Sequence, residues 1–203
     1  MATAPTVAAA PSRGRPRSEH RSAAVLAATL AEIGDRGISG LTIEAVALRA
    51  GVSKVTVYRR WPDRIALVLA ALESLPELAV PDTGDLVDDL RELRRHLLDV
   101  VDRSNLAEVL PALLAERRRS DHGPAIRRYV ERRSQAYVEV VERARARGEL
   151  VTGLPTELVV LMLSSPLALS VMNRDAPLTD EEWTTVVRVV LDGLARGDGR
   201  SRP

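Results

Sequence analysis

Past residue 18 the apolar positions of the chain recur every three or four residues, and no stretch alternates as a half-buried strand would. A first helix is predicted over residues 19–36, with Ala24, Leu26, Ala27, Leu30 and Ile33 on its inner face and Gly37 and Gly40 ending it. Two short helices come next. Thr42 is placed to cap one over residues 43–50, which Gly51 closes; Ser53 caps another that reaches Trp61, where Pro62 stops it.

Longer helical stretches are expected over residues 63–75, 85–103, 106–119, 124–147, 156–173 and 179–196. The 85–103 stretch repeats Leu86, Leu90, Leu93, Leu97 and Val101, and in the last stretch Thr179 and Glu182 have the spacing of a capping box. No internal repeat is visible. The pattern therefore predicts an all-α chain of about nine helices: a three-helix head over residues 19–64, a rear bundle over 65–203, and an unfolded basic arm over 1–18.

Helices as short as those around Gly51 are not stable alone, so their crossing carries the meaning. Val46, Ala47, Ala50, Val52 and Val57 stand where two such helices would cross, and Gly51 supplies the turn. This is helix-turn-helix spacing. With Val52, Val57 and Trp61 turned inward, the second short helix presents Ser53, Lys54, Thr56, Tyr58 and Arg60 outward. Hydroxyls, cations and a phenol are side chains that bind phosphates and base edges in a major groove.

Charge sharpens this picture. The whole chain carries a net charge of only +1. Residues 1–64, however, hold ten Lys+Arg against five Asp+Glu, whereas residues 65–203 hold nineteen against twenty-three. Only the first third is thus suited to a polyanion. Lysine occurs once, at Lys54, on the face just described. The arm carries "RGRPR", whose Arg15 and Arg17 fit a narrow minor groove if Pro16 keeps the run extended. Composition adds exclusions: with no cysteine there is no disulfide, thiolate metal site or cysteine nucleophile. Phe is absent, so the core must be built from Leu, Val, Ile and Ala. The longest apolar runs fall short of the ~20 residues of a membrane span, and a cytoplasmic location is expected.

The stretch "GLTIEAVALRAGVSKVTVYRRWPDRIALV" resembles the DNA-binding head of TetR-type (tetracycline-repressor-like) transcriptional regulators. The resemblance is close over residues 20–70; behind it, helix number and length agree. It implies a nine-helix homodimer that binds a palindromic operator on double-stranded DNA and holds a small-molecule effector in its rear bundle. It also implies that Thr42, Tyr58 and Arg64 contact phosphates and that Lys54 and Thr56 read bases, with Ser53, Val55, Arg59 and Arg60 completing the surface. The chain departs from the family pattern in four places: Val55 stands where Gly is frequent, Arg60 replaces an aromatic, Trp61 a Phe and Arg64 a Lys.

For the rear bundle, His96, Tyr129, Arg133 and Tyr137 are polar groups on apolar helix faces and are the candidate effector contacts. The alternative for Arg133 is a snorkelling side chain or one paired with a carboxylate such as Glu142 or Asp102, and for His96 a satisfied boundary residue. Residues 156–173 are apolar nearly all round, so that helix should be buried on every side. Leu161, Ser165 and Ala168, with Trp183, Val187, Val190 and Leu194 of the last helix, are the expected dimer contacts, and Met162 is expected in the core. His20, His96 and His122 are scattered, and no metal-ligand, phosphate-loop or nucleophile motif occurs. The sequence thus points to an effector-released repressor, with no cofactor, rather than an enzyme. An architectural DNA-binding protein is the other reading, but it has no need of a large apolar bundle.

Overall fold

The computed structural model describes residues 15–197 except 105, 119, 120, 151, 152 and 175; the side chains of 15–17, 196 and 197 also lie outside the description. Among the described residues there are nine helices and no strand: α1 (Arg15–Gly40), α2 (Ile43–Arg49), α3 (Lys54–Tyr58), α4 (Arg64–Glu73), α5 (Leu86–Ser104), α6 (Leu106–Glu116), α7 (Gly123–Arg147), α8 (Thr156–Asn173) and α9 (Asp180–Gly197).

Most of the predicted signals act where they were expected. Gly37, at φ 67° and ψ 173°, breaks the regular part of α1 and turns the chain toward α2. The Thr42 hydroxyl accepts the Ala45 N–H at 3.2 Å and the Ser53 hydroxyl accepts the Thr56 N–H at 3.2 Å, so both short helices have their caps. At α9 the capping box closes, with Thr179 N–H donating to Glu182 at 2.8 Å and Glu182 N–H to Thr179 at 3.2 Å.

The start of α1 differs. It begins at Arg15, four residues before the expected boundary, so Arg15 and Arg17 have helical rather than extended backbone. Pro16 falls in the first turn, where its missing N–H has no intrahelical partner to lose. The rest of the proposed arm, residues 1–14, lies outside the described residues.

Two apolar cores hold the helices together. In the first, Val25 and Ile33 of α1, Val46 of α2 and Val57 of α3 join Leu67, Val68 and Leu72 of α4. That same core continues without a break into Val109 and Leu113 of α6 and Ile126 and Tyr129 of α7. In the second, Leu86, Leu90 and Leu93 of α5 meet Val140 and Val141 of α7, Val159, Leu163 and Leu167 of α8 and Trp183, Val187 and Leu194 of α9. The Arg94 guanidinium lies 5.8 Å from the centroid of the Trp183 ring and donates to the Leu178 carbonyl at 2.7 Å.

Asp89, fully buried, accepts the Thr83 N–H at 2.7 Å and pairs with Arg147 at 3.2 Å, fastening the 75–85 connection to α5 and α7.

One expectation fails on α8, for which burial on every side was expected. It is an 18-residue helix of mean hydropathy 1.4, long and apolar enough by those measures to cross a membrane, yet only one side of it enters the second core. Met162, expected inside, is 40% exposed. The buried side packs against α7 and α9, while Leu158, Leu161, Met162, Ser165 and Leu169 succeed one another at helical spacing on the outer side.

Candidate nucleic-acid interface

The candidate surface is set by what holds α2 and α3 from behind. Val46 and Val57 are fully buried, Ala47 and Trp61 nearly so, and the Val52 N–H donates to the Ala47 carbonyl at 3.0 Å across the turn. Gly51 makes that turn at φ 65°, a left-handed conformation that a side chain resists. From α1, the buried carboxylate of Glu32 accepts Arg49 Nε at 2.8 Å and so fixes the end of α2. Two short helices are thereby held as one rigid corner.

With that corner fixed, Ser53, Lys54, Val55, Tyr58, Arg59 and Arg60 face outward, and Thr56 is half-buried with its hydroxyl 2.9 Å from that of Ser53. Tyr58 is 48% exposed, its ring available at the end of the helix. The Arg60 guanidinium sits 5.7 Å from the Trp61 ring centroid, so the charge that replaces an aromatic is stacked on the neighbouring indole. Arg64 is exposed and donates to the Ile38 carbonyl at 3.4 Å, beside the turn that leads to Thr42.

Two features of this surface go beyond the sequence pattern. Lys54 Nζ lies 2.6 Å from Glu44 Oε1, an ion pair between α3 and the first turn of α2. Leu48, one turn beyond Glu44, is 85% exposed. The sequence held only a faint signal of either, an acid and a leucine on the outer face of α2.

A charged contact ties the head to the rear bundle. Asp63 caps α4 by accepting the Ala66 N–H at 2.9 Å, and its second oxygen lies 2.9 Å from Nε2 of His122, at the start of α7. Burial pushes the Asp63 carboxyl up, but the Ala66 N–H and then His122 outweigh it and hold the group below its ordinary range. A lowered folded value means that the stability Asp63 supplies is complete above about pH 4 and is lost as pH falls through the folded value. We expect the melting temperature of Asp63→Asn to show less acid dependence than wild type between about pH 5 and pH 2. Asp63→Ala should also lose the cap, about 1 kcal/mol. Superimposable pH profiles for wild type and Asp63→Asn would show that the charge contributes nothing.

In the rear bundle, Tyr129 and Arg133 lie one turn apart on α7 and interact electrostatically, while Tyr137 and His96 have different surroundings. Tyr129 belongs to the first core and Tyr137 to the second, where burial pushes the Tyr137 phenol up to about 12. His96 lines a cleft of about 230 Å³ between the 75–79 connection and α5, together with Leu75, Leu78 and Val100. Arg133 is on the other side of that connection, donating to the Pro76 carbonyl at 2.5 Å.

The seven expected dimer contacts also divide. Trp183, Val187 and Leu194 are buried in the chain's own second core, because the α9 stripe packs inward. Leu161 is exposed, and Ser165, Ala168 and Val190 are half-buried. Leu158, Met162 and Leu169, outside the expected set, extend the exposed apolar face of α8, with Leu169 57% exposed; Val189 of α9 is 67% exposed.

A rigid helix-turn-helix corner with a cationic, hydroxyl-rich outer face, carried on an all-helical bundle, defines a DNA-binding regulator. Comparison with known proteins gives the family. Residues 25–71 match the model of bacterial regulatory proteins of the tetR family, and residues 80–190 match that of the tetracyclin repressor-like C-terminal domain. The uncharacterized HTH-type transcriptional regulator Rv1556 of Mycobacterium tuberculosis is 34% identical over 187 residues, covering 88% of this chain and 90% of the relative. HTH-type regulator AqdR of Rhodococcus erythropolis is 26% identical over 180 residues, covering 88% and 87%. Among solved structures, the TetR family transcription regulator SCO0332 superposes with a TM-score of 0.68 at 32% identity, over 86% of this chain and 98% of that one. The chain belongs to the TetR family of DNA-binding transcriptional regulators.

Proposed function

We propose that the chain acts in the cytoplasm as a homodimeric repressor whose two heads occupy successive major grooves of a palindromic operator, about 34–36 Å apart. The observation that carries this reading is the outer face of α3, where Ser53, Lys54, Val55 and Tyr58 are exposed above a fully buried Val57. Lys54 and Thr56 meet base edges; Thr42, Tyr58 and Arg64 fix the register on phosphates, with Arg59 and Arg60 adding charge. The exposed apolar side of α8 pairs with its two-fold mate, as a palindromic site calls for.

A small-molecule effector releases the complex by favouring a dimer whose heads are wrongly spaced, which needs a coupling of about 1–3 kcal/mol. The cleft beside His96 suits that role, because the 75–79 connection that forms one wall leads directly out of α4, a helix of the head's own core.

The test is selection of preferred sites from a pool of random duplexes, then fluorescence-anisotropy titration against unrelated DNA at two salt concentrations. A preference of about 10³ or more that survives the higher salt supports the reading; equal, salt-labile binding to both DNAs sinks it. Tyr58→Phe should weaken all DNA binding by about 0.5–1.5 kcal/mol, the value of one hydrogen bond. Lys54→Ala should instead change which sites are selected. Identical effects of the two on every DNA would contradict the division of roles.

A further inference from the structure

The single lysine of the chain is paired with a carboxylate in the free protein. Lys54 opens α3, the helix assigned to the groove, and its ammonium is 2.6 Å from the Glu44 carboxylate. Both side chains remain about half exposed, at 55% and 52%. The ammonium holds the Glu44 carboxyl below its ordinary range. Beside the pair stand two large apolar side chains, Leu48 one helical turn after Glu44 and Val55 next to Lys54, at 85% and 74% exposed.

A carboxylate at this place is a cost to any surface that grips DNA only by its phosphates, since it cancels a cation and repels the backbone. In a major groove the same pair has a use. An ammonium donates to guanine O6 and N7, a carboxylate accepts from the cytosine N4 amino group, and a G·C pair displays both edges side by side. Apolar neighbours that close over such a pair exclude water from it, which strengthens both contacts.

We propose that Glu44 and Lys54 form one reading unit that selects a G·C pair in each half-site, with Glu44 keeping the ammonium off the phosphates. Glu44 is then a specificity-determining residue on α2, outside the helix that reads the rest of the site. The unit lowers affinity for DNA at large in exchange for discrimination. This inference rests on the reading of α3 as the groove-entering helix.

The experiment is site selection from random duplexes by wild type, Glu44→Gln and the charge-reversed double variant Glu44→Lys/Lys54→Glu, with anisotropy titrations across a salt series. For Glu44→Gln the selected motif should relax at one G·C position per half-site and stay unchanged elsewhere. Binding to random duplex should tighten about three- to ten-fold, with the salt slope steeper by about 0.9 per head as the freed ammonium takes a phosphate. The charge-reversed variant, which restores the ion pair with opposite polarity, should not recover the wild-type motif. Melting curves confirm that each variant is folded.

If Glu44→Gln selects the wild-type motif with an unchanged salt slope, or the reversed pair restores that motif, the pair is a strut and the proposal fails. A wild-type protein that selects no motif overturns the groove-reading role of α3 and this inference with it.

Discussion

Leu161→Glu is expected to turn the protein into a monomer and to weaken its hold on a palindromic site by on the order of 10²-fold or more. Leu161 is 58% exposed and stands in the middle of the α8 face made by Leu158, Met162, Ser165 and Leu169. Exposed apolar side chains in such a row mark an interaction surface. In an isologous contact each substitution meets its own copy, so one glutamate per chain places two carboxylates in an apolar seam. A monomer then keeps only one half-site contact and loses the gain of tethering two heads, typically about 10²–10⁴. Sedimentation velocity at micromolar concentration gives the mass and anisotropy gives the affinity. A variant that remains dimeric would move the interface off this face.

Trp61→Ala should be the most damaging single change in the head. The indole is 7% exposed, packs in the first core, and supports the Arg60 guanidinium on its face. Removing a buried aromatic of this size costs about 3–5 kcal/mol, a fall in melting temperature of roughly 6–20 °C for a chain of this length. Because the loss falls in the core just beyond α3, DNA binding should go with it. Trp61→Phe keeps a ring in the site and should retain binding with a smaller loss of stability. Equal melting temperatures for wild type and Trp61→Ala would show that the head does not depend on this residue.

The fold was legible in the sequence wherever the signal was local. Helical period, the caps at Thr42 and Ser53, the Thr179–Glu182 box and the stop at Gly37 each involve residues within a turn of one another, and each is found in place. Direction was not legible. The α9 stripe of Trp183, Val187 and Leu194 reads the same whether it faces its own chain or a partner, and it turned inward. On α8 the opposite occurred. Its outer leucines carry the same apolar signature as its inner ones, and it is the placement of the neighbouring helices, α6, α7 and α9, that separates them. Pairings between distant residues were equally hidden: Glu44 with Lys54 across the turn, and Asp63 with His122, 59 positions apart. Pro16 misled for a different reason, since a residue that breaks a helix interior is tolerated in its first turn.

The continuity of the first core bears on how such proteins recombine. Its apolar side chains run from Val46 and Val57 through Leu67 and Leu72 to Val109, Leu113 and Ile126, so the head and the front of the rear bundle share one interior. A chimera cut at residue 64 would leave the borrowed head resting on foreign α4 and α6 surfaces, with methyl groups facing gaps or clashes rather than their own partners. Transplanting the DNA preference of this chain onto another body therefore means grafting a surface, the outward residues of α2 and α3, and leaving the buried ones behind.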